Sequence, residues 1–222
     1  MAELFELAAI GVDYHTPADT VTAINDVTMT VPETGITVFA GPSGSGKSTL
    51  LRVLGLLEPP TRGTLRFDGV DTGALPHSGR RALRRERLGL VFQTPTENLL
   101  EYLTVAENLV AAAQLARRTC RPDEILDRLG LGGTGGWRIS ALSGGQQQRL
   151  AFGCALARGC SVLLADEPTS QLDEASADLV LDTMRYLADE GFTVIAVSHD
   201  DRLIDIGTRV ARMHDGRLDG IT

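Results

Sequence analysis

The stretch that most constrains this chain is Gly41-Pro42-Ser43-Gly44-Ser45-Gly46-Lys47-Ser48-Thr49, a glycine-rich loop between an apolar β-branched run and a helical one. Its spacing is that of a phosphate-binding loop, GxxxxGK[ST], in the strand-then-helix setting the mechanism requires. Glycines let the backbone curl until successive N–H groups point inward at an anion, and the helix N-terminus adds partial positive charge. Lys47 is then expected to reach the terminal phosphates, and the Ser48 hydroxyl to face magnesium. A Gly/Ser turn that merely contains a lysine is the bland alternative. The flanking strand and helix favour binding of a nucleoside triphosphate.

Composition sharpens that reading. Lys47 is the one lysine among 21 Lys plus Arg residues. A chain so biased to arginine keeps lysine where a planar guanidinium will not fit and a compact ammonium will. The formal charge of −8 argues against a general polyanion binder, so no nucleic acid is expected as a partner. The local exception is Arg80 to Arg87, five of whose eight residues are arginine; it reads as a solvated helix face rather than a phosphate or headgroup site. No apolar run reaches the roughly 18 residues of a membrane span, and the N-terminus lacks a basic-then-apolar leader, so a cytosolic protein is expected. Cys120, Cys154 and Cys160 have neither CxxC spacing nor clustered histidines, and read as reduced apolar residues.

Short β-branched runs alternate with helical ones, the pattern of an α/β domain with a largely parallel sheet. Strands are expected at 35–40, 88–92, 161–165 and 192–197, and helices at 48–57 and 176–190. Antiparallel additions are expected from Leu4 to Tyr14, Val27 to Val31 and Thr64 to Asp68, with a closing hairpin from Val210 to Leu218 turning at Asp215-Gly216. Residues 94–140, rich in Ala and Leu, show helical spacing and no strand candidate. The expected fold class is α/β: one domain over 1–222, a P-loop NTPase core with a mainly parallel sheet and an antiparallel β subdomain (1–93 and 141–222), and an inserted helical subdomain (94–140).

A second anchor is Val162-Leu163-Leu164-Ala165-Asp166-Glu167-Pro168, an apolar strand ending in two carboxylates where the phosphate loop must also lie. One carboxylate can hold the magnesium shell, and its neighbour can orient a water for attack on the γ-phosphate. Asp166 takes the metal role and Glu167 the water. A third is Leu142-Ser143-Gly144-Gly145-Gln146-Gln147-Gln148-Arg149, where a hydroxyl, bare backbone amides and a helix start make another anion site. Taken alone, such a start is often only a cap.

The last segment, followed by the Asp-Glu strand, closely resembles the signature of the ABC ATPases, and the resemblance extends over nearly the whole chain. It implies an ATP-hydrolysing enzyme that uses ATP and Mg2+, with Tyr14 stacking on adenine and Gln93 touching magnesium and the attacking water. It further implies that His199 contacts the γ-phosphate, and that Ser170-Gln171-Leu172-Asp173 reaches a partner subunit. Gln171 departs from the commoner alanine or asparagine, and Gly35-Ile36 from Gly-Glu; neither removes a reacting group. In this family one site is split between two subunits, the phosphate loop of one facing Ser143, Gly144, Gly145 and Gln146 of the other. A second ATPase subunit, as a homodimer, and an integral membrane permease are the implied partners. The placement is peripheral on the inner face of the membrane, and the motif spacing is similar to the lipoprotein-release and macrolide-export type. A soluble ABC ATPase acting on a nucleoprotein target is the competing reading. Leu99, Leu100, Tyr102 and Leu103 are either core of the helical lobe or a docking surface.

Overall fold

The structure, a computed structural model, describes residues 2–15, 17 and 19–222. Along them run β1 (Glu3–His15), β2 (Thr20–Pro32), β3 (Gly35–Ala40), α1 (Lys47–Leu54), β4 (Arg62–Phe67), β5 (Val70–Asp71), α2 (His77–Arg87) and β6 (Leu88–Val91). Then come α3 (Val105–Leu115), α4 (Pro122–Arg128), α5 (Gly144–Arg158), β7 (Val162–Asp166), α6 (Glu174–Asp189), β8 (Thr193–Ser198), α7 (Asp201–Asp205), β9 (Arg209–His214) and β10 (Arg217–Ile221).

The described residues form two sheets. One has the order β10-β9-β3-β8-β7-β6, parallel throughout except for β10 at its edge. β3, β7 and β8 are continuous apolar runs because helices and a second sheet cover both faces. The second sheet, β2-β1-β4-β5, is antiparallel and packs Phe5, Ile10, Val31 and Phe67 against α1 and one face of the parallel sheet. The opposite face is covered by α5, α6 and α7 through Phe152, Val180, Met184 and Leu203. A third cluster joins α3 and α4 to α5 around Leu109, Leu126 and Leu150. The phosphate loop therefore leaves the sheet at the C-terminal end of a central strand, beside the ends of β7 and β8, which is where open parallel sheets place ligands.

Several boundaries differ from the sequence expectation, each for a local reason. The first helix stops at Leu54 rather than residue 57. Leu56 turns left-handed (φ 54), and the amides of Leu56 and Leu57 close back on Val53 and Arg52 at 3.0 and 2.9 Å, a Schellman end. β2 begins at Thr20, well before Val27, because its first residues pair with an exposed arm of β1 and bury little apolar surface to signal a strand. α6 starts at Glu174 since Asp173 caps it, accepting from the Ser176 amide at 2.9 Å. The closing hairpin turns at Asp215 (φ 47) and Gly216 (φ 74) as expected. Thr104 and Arg138 form an isolated antiparallel bridge in the segment read as wholly helical. No helix is long and apolar enough to cross a membrane among the described residues.

Candidate functional site

The loop between β3 and α1 is built from backbone conformations that side chains resist. Gly46 has φ 94, and a Cβ there would stand 2.5 Å from the Ala23 carbonyl oxygen. At Gly41 a Cβ would meet the Met213 carbonyl oxygen at 2.2 Å. These close approaches let the loop wrap with its amides facing inward. Gly46 is the N-cap of α1 and supplies no side-chain cap, so the first amides of the helix stay available to an anion. Lys47, only 5% exposed, donates to the carbonyls of Gly41 and Pro42 at 2.7 and 2.8 Å. Its ammonium is thereby held at the mouth of the loop.

A cavity of about 340 Å³ opens over this loop, lined by Ala23, Ser43, Gly44, Gly46, Lys47, Ser48, Thr49, Gln93, Glu167 and His199. Sequence-expected residues from four separate segments meet there. Ser48 Oγ donates to Asp166 Oδ1 at 3.0 Å. A hydroxyl and a carboxylate oxygen side by side are the donors a magnesium ion takes when phosphates and waters complete its shell, so the pair fits that ion. Burial pushes the Asp166 carboxyl above its ordinary range and the Glu167 charge adds to this, while the Ser48 bond and the Lys47 charge oppose it.

Glu167 follows β7 with φ 45, a conformation that is strained for a non-glycine residue. Its amide donates to Val197 O at 3.0 Å, which locks the turn. The carboxylate is held at both oxygens: Oε1 lies 3.0 Å from His199 Nδ1, and Ser198 Oγ donates to Oε2 at 3.3 Å. Gln93 is steered from behind, with Nε2 donating to Ser170 Oγ at 3.1 Å while that hydroxyl donates to Glu167 O at 3.0 Å. Strand ends and short hydrogen bonds thus aim a carboxylate, an imidazole and an amide at the same space as the lysine.

Tyr14, half-exposed on the β1 arm, adjoins the loop at Thr49, its hydroxyl donating to Glu58 Oε1 at 2.6 Å. The remaining expected residues lie outside the cavity. Ser143 and Gln146 form a capping box at the start of α5: the Gln146 amide donates to Ser143 Oγ at 3.3 Å, and the Ser143 amide to Gln146 Oε1 at 2.9 Å. Gly145 packs so closely on Ser176 that a Cβ would come within 2.8 Å of its Cβ, and a Cβ on Gly144 would meet Leu172. Ser143 to Gln146 and Asp173 therefore adjoin each other, outside the cavity of the phosphate loop. Leu99 is buried in the helical cluster, whereas Leu100 and Tyr102 are exposed. Sequence reasoning missed Ala23, which lines the cavity from β2 and as an alanine carries no residue-type signal. It also missed Ser198, whose partnership with Glu167 depends on two strands being neighbours.

The sequence profile of the family described as ABC transporter matches residues 24–170. The macrolide export ATP-binding/permease proteins MacB of Salmonella paratyphi A and Salmonella typhi are 39% identical over 98% of this chain, which spans 34% of their length. The dimeric ATP-binding cassette MJ0796, in a post-hydrolysis state bound to ADP and Pi, superposes with a TM-score of 0.87 at 30% identity, covering 99% of this chain and 98% of that one. The cassette cbiO1 of Clostridium perfringens, part of the transporter complex cbiONQ, has a TM-score of 0.86 at 24% identity over 100% of this chain and 88% of its own; that likeness is one of fold. With the family profile matching from β2 to Ser170 and relatives aligned along almost its full length, the chain belongs to the ABC transporter family and carries its ATPase domain.

Proposed function

We propose that this domain is the motor of a membrane transporter, binding Mg-ATP at a head-to-tail interface between two copies and driving a permease subunit from the inner face of the membrane. One observation carries the split site: Ser143 to Gly145, read as an anion-binding helix start, lies outside the cavity that gathers Lys47, Gln93, Glu167 and His199. A second molecule would bring such a start to that cavity. In this reading Gly41 to Thr49 cradle the phosphates, Tyr14 stacks on the adenine, and Ser143, Gly144, Gly145, Gln146 and Asp173 belong to the partner-facing edge. Residues 94–140 form the helical subdomain that meets the permease.

In the reaction Glu167 takes a proton from the attacking water, whose oxygen bonds to the γ-phosphorus as the bond to the bridging oxygen of ADP breaks. The His199 and Ser198 contacts fix the carboxylate before substrate arrives, so little reorganisation is left to the reacting step. Lys47 and His199 face the charge that grows on the γ-phosphoryl oxygens, and Gln93 orients the water. Ser48, Asp166 and Gln93 would hold magnesium, which would supply neutralisation of phosphate charge. Loss of the phosphate that bridges the two copies weakens closure, and the change between closed and open dimers is the mechanical output.

The MacB relatives are named for an ATP-binding part joined to a permease part, which supports the transporter reading. Purification of tagged Glu167→Gln with Mg-ATP from solubilised native membranes tests it. A multi-span membrane protein recovered in fixed stoichiometry is the expected companion; recovery of ribosomes, DNA or the dimer alone speaks for a soluble role.

A further inference from the structure

The turn that follows α1 reaches back to the strand arm that carries Tyr14. Two prolines, Pro59 and Pro60, come directly after Glu58. A proline fixes its own φ and confines the residue before it to extended conformations, so the backbone at Glu58 is set independently of its side-chain contacts. One carboxylate oxygen, Oε1, accepts from the Tyr14 hydroxyl at 2.6 Å, and the other, Oε2, lies 3.2 Å from Arg52 Nη2. A phenol donating to a carboxylate at that length is a charge-assisted bond, stronger than a neutral one. The Glu58 side chain is 19% exposed against 57% for Arg52, so the carboxylate is sheltered while its cation faces water.

The same turn grips the arm beside Tyr14. The Asp13 amide donates to Thr61 Oγ1 at 2.9 Å, the Asp13 carboxylate accepts from Arg62, and the Thr61 amide donates to Gly11 O at 2.8 Å. The arm needs this grip, because the β1–β2 register shifts between Ile10 and Val12 and again between Val12 and Asp13. Those bonds hold the backbone of the arm but not the ring, which is 37% exposed. Its direction is left to the contacts of the phenol itself, with Glu58 on one side and Thr49 of the phosphate loop on the other. Burial pushes the Tyr14 hydroxyl above its ordinary pKa and the bond to Glu58 adds to this, while the contact with Thr49 opposes it; the hydroxyl therefore stays a donor. Arg52 lies on α1 and Glu58 on the turn that ends it, and the N-terminus of α1 is the phosphate loop. Glu58 thus links the ring to the element that carries the cradle.

We infer that Glu58 is a positioning residue for the nucleobase: by holding the Tyr14 hydroxyl it fixes the ring relative to the phosphate loop, so that the base meets a platform already in place when the phosphates dock. The inference rests on the reading of Tyr14 as the adenine platform and adds what orients it. It also accounts for a tyrosine where the ring of phenylalanine would stack as well. Ordering a free ring on binding lowers affinity, and a tethered ring avoids that loss.

Calorimetric titration tests it, with Mg-ATP and with inorganic tripolyphosphate, a ligand that has the phosphates and no base. Glu58→Ala and Tyr14→Phe should each weaken ATP binding about fivefold, and the double variant should weaken it no further, because both singles remove the same bond. Glu58→Gln, whose amide oxygen can still accept from the phenol, should stay within about twofold of wild type. Tyr14→Ala, which removes the ring, should weaken binding about fiftyfold. Tripolyphosphate should bind every variant as it binds wild type, since the cradle is untouched. Wild-type ATP affinity in Glu58→Ala, additive losses in the double variant, or a Glu58→Gln protein no better than Glu58→Ala each overturns the proposal. So does an equal loss of tripolyphosphate binding, which would make Glu58 a support of α1 alone. If Tyr14→Ala binds ATP as wild type does, the adenine reading falls and the proposal with it; a fiftyfold loss there beside an indifferent Glu58→Ala removes the proposal alone.

Discussion

Two helix starts in this molecule were read as anion sites, one from its own motif and the other chiefly through the family resemblance, and the structure treats them in opposite ways. At α1 the N-cap is Gly46 in a left-handed conformation with no side-chain cap. At α5 the N-cap is Ser143, and a reciprocal box with Gln146 already engages its hydroxyl and one helix amide. The first is a cradle whose strain is tolerated because ligand-facing amides must remain free. The second is a stable cap that adds one exposed hydroxyl and two glycines to an outer edge. On the proposed reading, the uncapped start binds phosphates in its own chain, and the capped one completes a neighbour's site while stabilising its own helix.

Substitutions can break that contrast, beginning with the largest effect. Lys47→Arg should lower ATP affinity about a hundredfold, much as Lys47→Ala does, since the guanidinium cannot occupy the loop; calorimetric titration showing near-normal binding by Lys47→Arg would refute the account of the lone lysine. Gly46→Ala should cost roughly 1–3 kcal/mol of stability and most ATP binding, whereas Gly144→Ala should leave the affinity of a single protomer unchanged. Equal losses at the two glycines, read by denaturant melts and titration, would erase the distinction. Ser143→Ala removes a cap worth about 1 kcal/mol, and should also lower steady-state turnover about tenfold. Ser143→Asp separates these effects: it should restore the melting temperature but not the turnover, because its charge would oppose a phosphate. Recovery of both would reduce Ser143 to a cap.

Much of the parallel core was legible because buried strands such as β7 and β8 carry unbroken apolar runs followed by chemically unusual residues. Glu167 could be placed beside the phosphate loop since its strand ends where that loop must lie, whereas His199 rested on the family resemblance. The β1–β2 arm was less legible: bulges interrupt its register and its tip buries little, so alternation fades before Thr20. Ala23 was invisible because an alanine in a strand carries no chemical signal. Arg80 to Arg87 stood out as a run, but its nearness to Arg158 of α5 and Leu115 of α3 did not. Sequence spacing carries no trace of such convergence.

The claim most open to direct test is that one site needs two copies. Glu167→Gln retains the cradle and lacks the base, so with Mg-ATP its mass by light scattering should double, and it should fall back to the protomer when ATP is replaced by ADP. A second substitution, Ser143→Asp, should abolish the doubling without loss of ATP binding. A Glu167→Gln protein that hydrolyses ATP at the wild-type rate, or one that stays monomeric while saturated with ATP, would contradict the account.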